Sequence, residues 1–313
     1  MLIPNTATQT ITLENLAKRI QYGEQLKQMQ GIFIPLALKL PLFRENPEMM
    51  QETLKAKGES GITDVATNAD VHMQEMLMKE VVDKHPDWQF WGEENSQNSK
   101  IYDETKSFLF ITDPIEGTNN FKARKDDSWG SIAALVDIKT KEPLIGIVAH
   151  PTKRKFYFAV KGGGAYVIDC DNTGEIVNIL PMSKIPEYPE YTYNNSPHFE
   201  TNLIRQVEKF FSLGEIQPNN SLDKLEQSRK KVIIQDNLFT DPESGALEIV
   251  RHRGTLYFKT SAEMAAVFVI LKELGGKVTD AKGHPWTLGI NSLIAARNEE
   301  DYEYLKQLYE KVI

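Results

Sequence analysis

The sequence predicts an α/β protein with both helices and sheets, and three observations support this. Residues 12–30 repeat apolar side chains at helical spacing, with charged residues between them. Residues 131–168 contain short apolar runs separated by turn residues, as in an antiparallel meander. Residues 262–274 are almost uniformly apolar and are followed by Gly275 and Gly276, as in a buried helix with its stop signal. At 313 residues, of which 41% are hydrophobic, the chain suits one large domain or two closely joined ones.

Composition and charge limit the classes of function. The formal net charge of -8 argues against a protein that binds the backbone of a nucleic-acid polymer. Cys170 is the only cysteine, so the chain has no intrachain disulfide and a reducing compartment is expected. The first residues lack the basic and apolar segments of a signal peptide. The apolar segment 31–43 contains two prolines and a lysine, and it is too short to cross a membrane. We therefore expect a cytoplasmic protein.

The most informative stretch is 108–121, FLFITDPIEGTNNF. Its apolar run, 108–111, predicts a buried strand that ends at Thr112. Asp113 and Glu116 therefore follow the strand directly, where the chain turns. Two carboxylates in such a place can bind cations that prefer oxygen ligands.

The rest of this stretch supplies the turn. Pro114 fixes φ and removes a backbone donor, and Gly117 permits a tight turn. Thr118 is predicted to open a short helix, whose first amides favour an anion. Cation-binding carboxylates beside phosphate-binding amides make a phosphoryl-transfer site. An ordinary turn without function is the alternative that these residues leave open.

Further acids lie at the ends of predicted elements. Glu93 and Glu94 follow a strand predicted at 87–91, and they are either a solvated loop or a third source of carboxylate ligands. Asp70 begins a predicted helix, where a capping carboxylate is the alternative interpretation. Glu263 opens the apolar helix and either complements the helix dipole or binds a metal at the helix mouth.

Other stretches lead to weaker predictions. Residues 31–47 contain three prolines and are predicted to interrupt the first helix, whereas 48–57 is predicted to be helical. The proline-rich segment 181–189 is the candidate boundary between two halves. The basic residues Lys122, Arg124 and Lys125 either meet a second phosphate or are solvated loop charges, and His252 either contacts substrate or lies in a basic surface cluster.

The order of the acidic motifs resembles that of the inositol monophosphatase family. WGEE at 91–94 is followed by DPIEGT at 113–118, then AEMAA at 262–266 and KELGG at 272–276. The resemblance extends over roughly 64–298. It implies a layered α-β-α-β-α sandwich of the inositol monophosphatase and fructose bisphosphatase type, and a lithium-sensitive, Mg²⁺-dependent phosphatase that is usually a homodimer.

The resemblance also implies ligands for two or three Mg²⁺ ions. Glu93, Asp113 and the carbonyl of Ile115 match the ligands of the first ion. Asp113, Glu116 and Glu263 match those of the second. The substrate implied by these motifs is a small phosphorylated metabolite.

The remaining matched residues have catalytic and substrate-binding roles in the family. Asp70 matches an acid that holds a further ion through water, and Thr118 matches a hydroxyl that orients the attacking water together with Glu93. The amides of Gly117 and Thr118 match those that hold the phosphate, and Glu263 is expected to border the substrate.

Two positions depart from the inositol monophosphatase pattern. The family usually has Asp where this chain has Glu116, and Trp-Asp where it has Ala262 and Glu263. Each glutamate is one methylene longer than aspartate but keeps the negative charge, and fructose bisphosphatases resemble this chain at one or the other position. The changes leave open a fructose-1,6-bisphosphatase-like or 3′-phosphoadenosine 5′-phosphate phosphatase-like specificity. They also leave open a catalytically silent relative that binds metal or phosphate as a regulator.

We therefore expect a phosphoric monoester hydrolase that acts on a phosphorylated polyol or sugar through attack by metal-activated water. Residues 1–185 are predicted to form an α+β half that carries most metal ligands. Residues 186–313 are predicted to form an α/β half that carries Glu263 and much of the substrate pocket.

Overall fold

In the computed structural model of this chain, the described residues are 11–57, 63–94, 101–124, 129–182, 191–194, 217–218, 232–235, 254–257, 264–280, 282–289, 293–296, 299–300, 302–303 and 306–307. Within them the α-helices are α1 (Leu13–Ala17), α2 (Gly23–Ala37), α3 (Leu40–Phe43), α4 (Asn68–Lys84), α5 (Thr118–Lys122) and α6 (Met264–Glu273). The strands are β1 (Glu52–Lys57), β2 (Thr63–Thr67), β3 (Trp88–Gly92), β4 (Phe108–Glu116), β5 (Gly130–Asp137), β6 (Pro143–His150), β7 (Lys155–Val160), β8 (Gly164–Cys170), β9 (Ile176–Pro181), β10 (Tyr191–Asn194), β11 (Gln217–Pro218), β12 (Val232–Gln235), β13 (Gly254–Tyr257), β14 (Lys277–Thr279) and β15 (Leu293–Ala296).

The larger sheet is built from strands that follow one another along the chain. Across the described ranges, seven strands, β3 to β9, lie side by side in chain order. β3 and β4 are parallel, and every later strand runs antiparallel to the one before it. The antiparallel meander predicted over 131–168 is confirmed. One of its turns joins β7 to β8, where Gly162 and Gly164 have φ of 69° and 89°, values that favour glycine.

Helices cover both faces of this sheet. Because side chains alternate along a strand, Phe110 of β4 faces a core that contains residues of α2 and α4. Its neighbours Leu109 and Ile111 face a second core that contains seven consecutive residues of α6. At Gly146 of β6 a Cβ atom would lie 2.2 Å from the carbonyl oxygen of Ala266, so glycine lets α6 pack directly on the strand.

A second sheet lies beyond α6. In the described ranges its strand order is β11-β12-β10-β13-β15-β14. β15 runs antiparallel to both of its neighbours, β13 and β14, and the other neighbouring strands are parallel. Val278 of β14 and Ala295 of β15 belong to the core that contains α6. The layer order is therefore helix, sheet, helix, sheet, which confirms the predicted layered α/β fold. The boundary at residue 185 stays a prediction.

The first helical region differs from its prediction. Instead of one helix over 12–30, α1 ends at Ala17 and α2 begins at Gly23, after Tyr22 in the left-handed region. α2 then continues through Pro35 to Ala37, so the predicted break is wrong. Proline costs a helix interior about 3 kcal/mol, but fully burying each large apolar side chain contributes about 1.5–3 kcal/mol. Several such side chains of α2 are buried, which offsets the cost.

The helix predicted over 48–57 is also wrong. Residues 52–57 form β1, which pairs antiparallel with β2. Pairing with another strand overrides the helical preference of alanine and lysine here. Where helices are described, none has the length and apolar character needed to cross a membrane.

Candidate functional site

The ends of β3 and β4 bring two of the predicted metal ligands close together. The strands are parallel, with Gly92 opposite Thr112. Glu93 comes next after Gly92, and its amide donates a hydrogen bond of 3.1 Å to the carbonyl of Thr112. Glu93 and Asp113 therefore follow paired positions at the same edge of the sheet. Glu93 is half-buried, whereas Asp113 is 3% exposed.

The pairing of β4 with β5 is irregular near the end of β4. The strand was predicted to stop at Thr112, but it continues to Glu116. Its register with β5 shifts between Asp113 and Glu116. Pro114 lies inside the shift, where its missing N–H is tolerated. The amide of Ile115 donates to Oδ1 of Asp113 at 3.1 Å.

The turn after β4 directs a hydroxyl toward two acceptors. Gly117 has φ of 82° and precedes the short helix α5, which confirms the predicted turn and helix. The Thr118 hydroxyl oxygen lies 3.0 Å from the carbonyl oxygen of Ile115 and 3.1 Å from Oδ1 of Asp70. Since a hydroxyl has one proton, it donates to one of these acceptors at a time.

Asp70 caps a helix and also contacts the site. It is fully buried in the first turn of α4. Its Oδ2 accepts hydrogen bonds from the amide of Thr67 at 2.7 Å and from the Thr67 hydroxyl at 2.5 Å. The capping interpretation is therefore confirmed. Because Oδ1 lies near Thr118, the same carboxylate joins the start of α4 to the end of β4. Its predicted role in holding a water-linked ion stays a prediction.

Gln74 lies one helical turn after Asp70 and makes a contact with the backbone next to Glu93 that was not predicted from the sequence. Its Oε1 accepts a hydrogen bond of 2.8 Å from the amide of Glu94, and its Nε2 donates one of 2.6 Å to the carbonyl of Glu94. The sequence signal that could have located it is its spacing, because residues four apart share a helix face.

Two of the basic residues after the central motif are engaged by acids. Nζ of Lys122 lies 2.6 Å from Glu52, and Nη1 of Arg124 lies 2.8 Å from Glu45. These contacts favour the interpretation of Lys122 and Arg124 as ordinary loop charges. Lys125 lies outside the described residues, as does His252.

The predicted metal ligands at this edge of the sheet would all bind through oxygen atoms. They are the carboxylates of Glu93, Asp113 and Glu116 and the carbonyl of Ile115. Among the side chains that the structure describes, no group of three or more His, Cys, Asp or Glu residues is placed to hold a metal ion. Glu263, the remaining predicted ligand, lies outside the described residues. The two ligand sets therefore stay predictions.

Comparisons with known proteins identify the family. The sequence model of the inositol monophosphatase family matches residues 41–313. Inositol monophosphatase 1 of Rattus norvegicus is 26% identical over 264 residues, which cover 82% of this chain and 87% of that protein. The SuhB protein of Bartonella henselae has a TM-score of 0.64 and 18% identity, and the match covers 93% of this chain and 100% of that one.

A third similar protein was solved with a ligand. It is a staphylococcal inositol monophosphatase II with inositol monophosphate bound, with a TM-score of 0.62 and 15% identity. The match covers 93% of this chain and 98% of that one. These solved structures share the layered fold over most of the chain. Together with the family match over 41–313, they show that the chain belongs to the inositol monophosphatase family and is a phosphatase of that type.

Proposed function

We propose that this protein is a Mg²⁺-dependent phosphomonoesterase that hydrolyses a small phosphorylated polyol or sugar. The observation that carries the proposal is the arrangement at the ends of β3 and β4. There Gly92 pairs with Thr112, and the next residue on each strand is a predicted metal ligand, Glu93 or Asp113. The Thr118 hydroxyl connects the same segment to the buried carboxylate of Asp70.

The donor chemistry supports a hard divalent cation. Carboxylate and carbonyl oxygens are the ligands that Mg²⁺ prefers. Glu93, Asp113 and Ile115 would hold a first ion, and Glu116 and Glu263 would join Asp113 at a second. When bound, such ions acidify water and neutralise charge on the transferred phosphoryl group.

The side chains of this protein would orient the nucleophile. When the Thr118 hydroxyl donates to Asp70, its oxygen keeps lone pairs that would accept a hydrogen bond from a water molecule. The carboxylate of Glu93 would be the second acceptor for the same water. Asp70, held by Thr67, keeps the hydroxyl in place. Positioning of this kind supplies most of the catalysis in phosphoryl transfer.

Backbone amides would hold the phosphate. The first amides of any helix lack partners within that helix, and Thr118 is the first residue of α5. The positive φ of Gly117 directs the chain into this helix. Amides of Gly117 and Thr118 can therefore donate to phosphate oxygens, as the family resemblance implies.

Similarity to a staphylococcal protein with bound inositol monophosphate supports a phosphorylated polyol as substrate. Fructose 1,6-bisphosphate and 3′-phosphoadenosine 5′-phosphate are the alternatives, because Glu116 and Glu263 depart from the inositol monophosphatase pattern. The family resemblance further supports a lithium-sensitive homodimer, and the single cysteine supports a cytoplasmic location.

A silent regulatory relative is the second candidate. Glu116 and Glu263 motivate it, because each extra methylene moves a carboxylate and Mg²⁺ tolerates little misplacement. In this case the protein would bind Mg²⁺ or phosphate without hydrolysing the ester.

The test is phosphate release from inositol 1-phosphate, fructose 1,6-bisphosphate and 3′-phosphoadenosine 5′-phosphate, in Mg²⁺ and in EDTA. We expect release from at least one ester in Mg²⁺ and none in EDTA, with the Asp113→Asn variant inactive. Calorimetry with Mg²⁺ separates the candidates, because binding without hydrolysis supports the silent relative. Absence of both binding and metal-dependent release would overturn the proposal.

A further inference from the structure

The side chain of Gln74 pairs with backbone beside the candidate site. Gln74 lies in α4 and is 8% exposed. Its amide uses one acceptor and one donor on the same residue, Glu94, at 2.8 and 2.6 Å. Such two-point pairing fixes orientation as well as distance, as a ladder between two strands does.

The neighbouring glycine makes this pairing possible. A Cβ atom at position 92 would lie 1.9 Å from Oε1 of Gln74. Glycine at the end of β3 therefore leaves the space that the long side chain of Gln74 fills. Any larger residue at position 92 would therefore displace the side chain of Gln74.

The result is that Glu93 is held from both sides. Its own amide donates to Thr112 of β4. The next residue, Glu94, is held by Gln74 of α4. The same helix carries Asp70 in its first turn, and Asp70 contacts Thr118. The backbone of Glu93 is thus fixed to the helix that positions the Asp70–Thr118 pair.

We propose that Gln74 is a positioning residue for the hydrolysis, which fixes Glu93 relative to the Asp70–Thr118 pair. This inference rests on the proposed function, in which Glu93 and Thr118 orient one water molecule. Buried backbone groups almost always have partners, so loss of Gln74 forces the segment around Glu94 to rearrange. A shift of about 1 Å at a catalytic group is enough to lower a rate about 100-fold.

The test uses Gln74→Met, which keeps the length of the side chain and removes both hydrogen bonds. Substitution of a residue that supports a metal ligand typically weakens metal binding by about 10- to 100-fold. We therefore expect the Kd for Mg²⁺, measured by calorimetry, to rise about tenfold. We expect kcat to fall at least about tenfold, because a shift of Glu93 would misplace the attacking water. Gln74→Glu keeps the acceptor for the Glu94 amide and should give smaller changes in the same direction.

Leu77→Ala is the matched control. Leu77 is a fully buried residue of α4 that packs in the apolar core. Its truncation should lower Tm at least as much as Gln74→Met does, with Mg²⁺ affinity and kcat unchanged. A normal Kd and kcat in Gln74→Met and in Gln74→Glu, with only a lower Tm, would overturn the positioning role. If the wild-type protein neither binds Mg²⁺ nor hydrolyses any ester, the proposed function itself fails.

Discussion

The hydroxyl of Thr118 lies 3.1 Å from Oδ1 of Asp70, a residue 48 positions earlier in the chain. Asp70 is fixed by Thr67 in a helix cap, so a stabilising feature of α4 also determines where the hydroxyl lies. The same hydroxyl lies within reach of the Ile115 carbonyl. This contact joins the helix cap to the predicted metal and phosphate ligands.

Removal of the Thr118 hydroxyl should impair the chemical step. Thr118→Val retains the shape of the side chain, and we expect kcat to fall at least about 100-fold, as for other positioned proton-transfer groups. Thr118→Ser retains the hydroxyl and should stay within about threefold of wild type on the same grounds. Phosphate release at saturating Mg²⁺ measures both variants. Full activity in Thr118→Val would show that the hydroxyl does not orient the nucleophile.

The two roles of Asp70 can be separated through its partner in the cap. Thr67→Ala removes one donor to Asp70 and should lower the free energy of unfolding by about 0.5–2 kcal/mol, the usual range for a cap. Its kcat should change little, because the backbone amide of residue 67 still donates to Asp70 and keeps it facing Thr118. Asp70→Asn should lower kcat much more than Thr67→Ala does. Urea unfolding and phosphate release check the pair, and equal kcat in both variants would argue against a site role for Asp70.

Glu273 should stabilise the packing of α6 against the larger sheet. Its carboxylate accepts hydrogen bonds from the amides of Gly162 and Gly164 at 2.7 and 2.8 Å. Glu273→Ala should lower the free energy of unfolding by about 1–2 kcal/mol, a value reduced for partial exposure. Lys272→Ala is the control, since it removes a partly exposed ion pair with Glu142 and should cost less than about 1 kcal/mol. The prediction would be contradicted if urea unfolding showed the same loss of unfolding free energy in Glu273→Ala and Lys272→Ala.

Cys170 should make the protein less stable at high pH. Burial raises the pKa of its thiol from 9.0 to about 11, and neighbouring carboxylates such as Asp171 act in the same direction. Between these values the unfolded chain loses the proton while the folded protein keeps it. The free energy of unfolding therefore falls as pH rises from about 9 to about 11, by at most about 1.4 kcal/mol per pH unit.

The Cys170→Ala variant tests this pH dependence. Urea unfolding between pH 8 and pH 11 should show a shallower decline in the variant than in wild type. The same slope in both proteins would mean that another group causes the decline.

Local pattern was enough to predict the elements that frame the site. Short apolar runs separated by turn residues correctly located the meander, and the acids after 87–91 and 108–111 lie at neighbouring strand ends. The prediction that β4 stops at Thr112 was wrong. A strand containing Pro114 is possible only because the register shifts at that point, and the sequence does not show which partner strand accommodates the shift.

The contacts that fix the site depend on tertiary structure. Gln74 and Glu94 are 20 positions apart, and their pairing needs the missing side chain of Gly92. β1 has helix-forming residues, yet pairing with β2 makes it a strand. Periodicity describes one element at a time and carries no information about such partners.

The most direct measurement is an anomalous difference map from crystals soaked in Mn²⁺, a cation that binds the oxygen ligands Mg²⁺ prefers. We predict at least one strong peak within coordinating distance of Asp113, Glu93 and the Ile115 carbonyl oxygen, and a second beside Glu116 and Glu263. A well-ordered map without a peak near Asp113 would contradict the metal site and the hydrolytic mechanism built on it.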